Sequence, residues 1–513
     1  MNKQNRDFTA QRKGVVLVMV VVVIAIMSLS AYGYTLMMQT ESEATMLSGR
    51  RIQARRLVDS GVEHVRVFLS QGDEIIQQSG GIFDNPDYFQ GVVVRNDEDP
   101  RMFGMFSILA PNMSEEGVQE GARFGLQDES VRLNLNILTL ADAYIENGGR
   151  TLLLGLPEMD EEIADAIMDW IDEDDEAREF GCEFNDYYKG LNPTYTPKNG
   201  PLDSVEELLL VRGITAELLF GADANHNGVI DIEEQQAAGV LEPELVLGWS
   251  NYLTLFSKER NYTSNGQQRV NINSANLENL YNDLSASMRE EWASYIVAYR
   301  LFGPYTPSDD DETDGVVTGN DLDLSAEGSF TFLQVLDLVD TYVKVDLGGD
   351  SVIVPSPITS DKLGGTLPTL MDNLSIYDQD VITGRLNINQ CSRQLLLGIP
   401  GMTEEIADEI VSRRDLVIDP EEIADINRNW ETWILAEGIV TLEEMRSMMQ
   451  FITAKGHVHR AEIAGFFVDG KISSRASVVF DTTDRFPRIL FWRDKSHLSL
   501  GYTKELLGAP LEE

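Results

Sequence analysis

Arg12-Lys13-Gly14-Val15-Val16-Leu17-Val18-Met19-Val20-Val21-Val22-Val23-Ile24-Ala25-Ile26-Met27 is the stretch that decides how this chain is read. No charged residue follows Lys13 until Glu41. An uncharged run of more than about 20 residues is long enough to cross a bilayer as one helix. Lys3, Arg6, Arg12 and Lys13 precede the run, and Glu41 and Glu43 follow it. The positive-inside rule therefore predicts a cytoplasmic N-terminus, with everything downstream outside the cytoplasm. Two other readings compete: a secretory signal cut near Ser28-Leu29-Ser30, and a plain signal anchor. A secretory signal has a shorter apolar core that then breaks. Here apolar residues recur at Leu47, Ala54, Val58, Val62, Val65 and Leu69, the rhythm of one helix face. The pattern predicts a membrane helix running without a break into an amphipathic one, over 15–70.

A chain of 513 residues predicts two or more domains, and its formal charge of −45 makes it strongly acidic. Such a surface repels nucleic acid, which needs Lys and Arg to neutralise phosphate. It suits solubility and divalent-cation binding. Apolar residues are 43% of the chain, near the globular norm, so most of it is expected to fold. Cys182 and Cys391 are the only cysteines; an oxidising compartment would permit one disulfide, and the sequence leaves the pairing open. No Gly-rich phosphate loop, Cys-x-x-Cys or His-Glu-x-x-His is present, so no enzyme is expected. His457 and His459 alternate on an expected strand, but two histidines without a third ligand are more often surface residues.

An internal repeat organises the middle. Arg132-Leu133-Asn134-Leu135-Asn136 recurs as Arg269-Val270-Asn271-Ile272-Asn273 and as Arg385-Leu386-Asn387-Ile388-Asn389. The first and third copies share a second block: Leu152-Leu153-Leu154-Gly155-Leu156-Pro157 parallels Leu395-Leu396-Leu397-Gly398-Ile399-Pro400. Gly and Pro end one helix, Asp160 or Thr403 caps the next, and paired glutamates sit in its positive first turn. Ile163 and Ile167, like Ile406 and Ile410, lie four apart on one face. The pattern is similar to a helix-hairpin-helix unit. That motif often binds DNA, but the acidity and the extracytoplasmic placement favour a repeated packing unit.

The sharpest local chemistry is Asp223-Ala224-Asn225-His226-Asn227-Gly228-Val229-Ile230-Asp231-Ile232-Glu233-Glu234. It fits an EF-hand loop throughout: oxygens from Asp223, Asn225 and Asn227, a turn at Gly228, the Val229 carbonyl, Asp231, and a closing bidentate Glu234. The expected cofactor is Ca²⁺, held with the modest affinity of extracellular modules because two ligands are Asn. A second candidate metal cluster is Asp169, Asp172, Asp174 and Asp175. Clustered carboxylates repel unless a cation sits among them.

The basic leader ending at Gly14, followed by the unbroken apolar-to-amphipathic helix, resembles a type IV pilin or pseudopilin. The resemblance implies a cut after Gly14 and Val15 as the methylated mature N-terminus. Pilin-like proteins usually carry Glu at the fifth mature position, where this chain has Met19. A carboxylate in lipid is costly unless paired, and in the family it is thought to pair with a neighbour's N-terminal amine. A subunit lacking it suits a filament tip. Phe124-Gly125-Leu126-Gln127-Asp128-Glu129, Asp169-Trp170-Ile171-Asp172-Glu173-Asp174-Asp175-Glu176, Tyr187-Tyr188 and Pro201-Leu202-Asp203-Ser204-Val205-Glu206-Glu207 resemble the minor pseudopilin K family of the type II secretion system, general secretion pathway protein K.

The resemblance implies an α+β fold: a pilin-like transmembrane and stalk helix and antiparallel sheet, with a large inserted helical domain. It implies processing by prepilin peptidase, minor pseudopilins I and J as partners with H as a further one, a major pseudopilin, and calcium in the helical domain. The place would be the bacterial inner membrane, single-pass, with the bulk periplasmic and no nucleic acid bound. The expected divisions are a leader 1–14, stalk 15–70, first pilin-like part 71–130, inserted domain 131–450 with repeats near 131–172, 269–301 and 385–415, and C-terminal strands 451–513. Residues 306–380 read as an acidic insertion, which lengthens the chain beyond the family pattern. The alternative is an extracytoplasmic helix-hairpin-helix protein that binds DNA during uptake.

Overall fold

The structure, a computed structural model, describes residues 12–114, 119–238, 246–309, 311–348, 351–414, 428–498 and 500–509. Leader residues 1–11, Asp310 of the acidic run and the tail 510–513 lie outside them.

Helix α1 (Arg12–Leu69) has 58 residues, roughly 87 Å at 1.5 Å per residue. Among the described residues it holds the one stretch long and apolar enough to cross a membrane. Residues 15–49 are exposed all round, and Leu47, expected on the buried face, is 46% exposed. The reason is reach: the sheet that covers this helix begins only at Arg50, whose guanidinium pairs with Asp469 at 2.7 Å. From there Ala54, Leu57, Val58, Val62, Val65, Phe68 and Leu69 are buried, at the three-and-four spacing of one face.

After α1 the chain forms β1 (Val92–Arg95), β2 (Gly104–Met113), β3 (Gln119–Arg123) and β4 (Gln127–Asp128). It then leaves this sheet and returns to it at residue 458. The intervening chain is mostly short helices, tied by two-residue parallel strand pairs. β5 (Leu133–Asn134) pairs with β6 (Leu253–Thr254). After β7 (Lys258–Arg260) comes β8 (Val270–Asn271). A hairpin follows, β9 (Tyr342–Asp346) and β10 (Ser351–Pro355). β11 (Leu374–Ser375) then pairs with β8. β12 (Val381–Thr383) runs antiparallel to β7, and β13 (Leu386–Asn387) pairs in parallel with β14 (Ile452–Thr453). Each Arg-x-Asn-x-Asn copy is thus the first strand of a closed module whose second strand ends in Thr254, Ser375 or Thr453.

The asparagines explain why the motif repeats. The first of each pair accepts the backbone N–H of the second: Asn136 N to Asn134 at 3.0 Å, Asn273 N to Asn271 at 2.9 Å, Asn389 N to Asn387 at 3.0 Å. The second clamps a distant loop by its amide. Asn136 exchanges two bonds with Leu202 and Asn273 two with Phe332, while Asn389 donates to Arg428 and Ala454 carbonyls and accepts from the Trp433 indole. The stretch read as an acidic insertion contains Phe332, β9, β10 and β11, so it forms the body of the second module. The helix pairs Gly148–Leu153 with Glu161–Ile171, and Arg393–Leu397 with Glu404–Arg414, flank the two Gly-x-Pro turns. Those turns abut: a Cβ on Gly155 would stand 2.8 Å from the Gly398 Cα.

The chain re-enters the first sheet as β15 (Val458–Phe467), β16 (Ser473–Asp481) and β17 (Arg488–Asp494), in the order β1-β2-β15-β16-β17. All contacts along that path are antiparallel. Its pleat sorts two environments. Phe106, Ile108, Ala461, Ile463, Ala476, Val478 and Phe480 meet α1. Burial of each larger side chain contributes about 1.5–3 kcal/mol. Arg460, Glu462, Arg475, Ser477 and Asp481 alternate with them and are turned to the other face. There Met105, Leu109, Ala464 and Phe466 are covered by Leu500, Tyr502, Leu506 and Leu507, and the charged residues meet the helical part. Arg460 pairs with Glu129 at 2.5 Å, and Asn387 donates to Asp128 at 2.9 Å. His457 accepts the Arg260 backbone N–H on Nδ1 at 3.2 Å. Cys182 and Cys391 are both free and buried.

Two outcomes follow from this packing. A Cβ on Gly465 would lie 2.7 Å from the Ala54 carbonyl oxygen. Gly465→Val should therefore cost about 1–3 kcal/mol, measured as a fall in Tm. Desolvation, with Arg260 and Lys455 nearby, holds the His457 imidazole well below its usual 6.5. The folded state resists a proton that the unfolded state accepts, so His457 contributes its stability above pH 6.5 and loses it as pH falls. Denaturant midpoints should drop as pH falls below 6.5, and His457→Gln should flatten that slope.

Candidate metal-binding loop

Thr215 caps the short helix Ala216–Phe220, and the chain then turns through 223–231 into the helix Ile232–Ala238. His226 and Gly228 take left-handed conformations, φ 54° and 74°. At Gly228 the requirement is double, because a Cβ would also lie 2.6 Å from the Pro111 ring on β2.

Five of the expected ligand residues are tied to one another by hydrogen bonds within the loop. Asp223 accepts Asn227 N at 3.0 Å and Gly228 N at 2.7 Å. The Asn227 side-chain oxygen accepts Val229 N at 2.7 Å. Glu234 folds back so that one oxygen accepts Asn225 N at 3.1 Å and its amide at 2.9 Å, and the other accepts Asp231 N at 3.1 Å. Asp231 in turn caps Glu234 N at 2.9 Å. Asp223, Asn227 and Glu234 are 4%, 2% and 8% exposed, whereas Asp231 stands in solvent. Burial pushes the Asp223 carboxyl up to about 6; Glu234 adds to the rise, and the Gly228 and Asn227 N–H groups oppose it. Two carboxylates, two amide oxygens and a carbonyl in one desolvated loop are the hard oxygen set that suits Ca²⁺.

The loop is gripped from outside by the C-terminal sheet and tail. Arg475 on β16 donates to the Asn225 carbonyl and, at 3.3 Å, to its side-chain oxygen. Lys495 Nζ donates to the His226 carbonyl at 2.7 Å and to Glu462 at 2.6 Å. Tyr502 donates to the Asn227 carbonyl at 3.2 Å, and the Asn227 amide donates to the Gly501 carbonyl. His226 stacks on Phe220 at 4.5 Å between ring centres. None of these outer contacts is visible in the loop's own sequence.

The second cluster is divided. Asp169 is fully buried at the end of its helix and accepts Arg178 N at 3.2 and 3.3 Å. The Arg178 Nε stands 3.6 Å from Asp169 and 3.7 Å from Asp172. Asp174 and Asp175 are exposed on the following turn, where they accept Glu176 N at 2.8 Å and the Asn199 amide at 3.0 Å. Glu183, absent from the sequence reading, is the buried neighbour of the inner pair. Burial, then Asp169 and Asp172, push its carboxyl up to about 7. Burial, then Asp174 and Asp169, push Asp172 up to about 6. Among the described residues no three His, Cys, Asp or Glu side chains stand together as a metal-ready set.

Residues 131–220 match the family model for Type II secretion system (T2SS), protein K. The match is to that segment of the chain, 131–220. The matched segment holds the first Asn-x-Asn module strand, the Asp169 cluster and Glu183, and it stops just short of the Asp223 loop. A crystal structure of the GspK-GspI-GspJ complex from the enterotoxigenic Escherichia coli type 2 secretion system contains a chain that aligns with 89% of this one and 98% of itself, at 10% identity and a TM-score of 0.31. No curated protein matches the chain.

Proposed function

We propose that this protein is a minor pseudopilin of a type II secretion system, a non-enzymatic subunit at the tip of the periplasmic pseudopilus. It would help start assembly of the filament that exports folded proteins across the outer membrane. The observation that carries the reading is the protein K segment at 131–220 on a chain whose long apolar helix runs directly onto an antiparallel sheet. In this reading α1 anchors the subunit in the inner membrane with its N-terminus cytoplasmic, after prepilin peptidase cuts between Gly14 and Val15. Minor pseudopilins I, J and H and the major pseudopilin would be its partners. The contact of Gly155 with Gly398 supports a packing role for the two Gly-x-Pro turns over a DNA-binding one.

Mass spectrometry of the N-terminus tests this directly. The expected mass is that of a chain starting at methylated Val15; a start near Ala31 would remove the reading.

The Asp223 loop would hold Ca²⁺ through Asp223, Asn225, Asn227, the Val229 carbonyl, Asp231 and Glu234. When bound, the ion would cross-link the loop's two ends and neutralise its buried carboxylates. Calcium at a hundred times its Kd should stabilise the protein by about 2.7 kcal/mol. That rise in Tm should be lost when Asp223→Ala and Glu234→Ala are combined. An unchanged Tm in the parent protein on adding Ca²⁺ would refute the loop assignment.

A further inference from the structure

Arg475 is 1% exposed, and its Nε has no hydrogen-bond partner. Its two terminal nitrogens are spent on one residue, Asn225: one on the carbonyl, the other on the side-chain oxygen at 3.3 Å. That side-chain oxygen is the third-position ligand of the loop. Committed to a guanidinium, it turns its amide nitrogen to Glu234 at 2.9 Å, which occupies an oxygen of the closing ligand as well. A fixed cation therefore already holds two of the six ligands in a non-coordinating arrangement. The arrangement is built rather than incidental. Gly501, at φ 74°, lets the tail approach, and a Cβ there would lie 2.3 Å from an Arg475 nitrogen and 3.0 Å from the Asn225 oxygen. Tyr502 places its ring 5.9 Å from the guanidinium carbon.

We infer that Arg475 is an internal competitor for the loop's cation: the Arg475 bond to the Asn225 side chain and a divalent ion on that same oxygen exclude one another. The inference rests on the calcium reading above. Two positive charges that share one oxygen in a desolvated site repel strongly, so Arg475 sets the affinity. It also makes β16 and the tail around Gly501 the part of the molecule that registers occupancy. The Arg475 bond to the Asn225 carbonyl and the Lys495 bond to the His226 carbonyl involve other oxygens and persist in both states. The joint between sheet and helical part is thus adjusted by the ion, not released.

The experiment is calorimetric titration of CaCl₂ into the full-length protein in detergent, with hydrogen exchange followed at 474–477 and 500–503. In the parent protein, calcium should alter exchange at both segments. Arg475→Gln should bind calcium about tenfold more tightly, and its calcium-dependent exchange change at 474–477 should vanish. Arg475→Lys, which keeps the charge but cannot fork onto Asn225, should fall between the two and serves where Arg475→Gln does not fold. Glu234→Gln should abolish binding. Parent-like affinity and exchange in both Arg475 variants, with calcium bound by the parent and not by Glu234→Gln, would overturn the competition and leave the calcium loop standing. Absence of binding to the parent would overturn the loop and the competition together.

Discussion

Strand β15 must satisfy two unlike neighbours with alternate residues. Ala461, Ile463 and Gly465 lie under α1, where Gly465 gives the helix backbone room. Arg460 and Glu462 point the opposite way into a buried polar layer. A slip of one residue would place Arg460 and Glu462 beneath an apolar helix and Ile463 among charges. The register of this strand therefore governs both the docking of α1 and the seat of the Asp223 loop. Neighbouring strands repeat the constraint: Ala476 and Val478 face the helix, while Arg475 and Ser477 face the loop.

The polar layer is costly to build and correspondingly specific. Glu129, Arg132, Arg460, Glu462 and Lys495 are withdrawn from water, and each needs its partner in place. Burial, with Arg460 beside it, lowers Arg132 to about 10. Glu462 stays below the usual carboxylate range despite its burial because Lys495 and Arg475 face it. Removing one member of such a set strands the others, which costs more than the set contributes as a whole. Arg385 plays the same part in the third module. Despite its burial, Glu259 and Glu431 hold its charge.

Much of this was legible in the sequence. The apolar run and the three-and-four rhythm from Ala54 to Leu69 define α1, and the alternating segments around 105–109 and 459–480 become β2, β15 and β16. The three Asn-x-Asn copies also stand out. Their closing strands do not, because a two-residue strand such as Ile452–Thr453 has no periodicity to read. The Asp223 loop was visible because its expected ligands are local, whereas Arg475, Lys495 and Tyr502 reach it from some 250 residues away. Glu183 escaped notice for a related reason: its tie to Asp169 runs through a turn with no repeat or motif spacing. Leu47 kept the helical rhythm while lying beyond the sheet's reach, a limit set by tertiary geometry alone.

The chain leaves the main sheet at Asp128 and returns beside it, with His459 paired directly to Asp128 in adjacent strands. Exit and entry are hydrogen-bonded neighbours, so the chain between them begins and ends at one place on the sheet. A pull along α1 is carried by shear between that helix and β2, β15 and β16, and it crosses from β4 to β15 without traversing the three modules. The modules are off the load path. Their number and length can change without altering the seat of α1 on β2, β15 and β16.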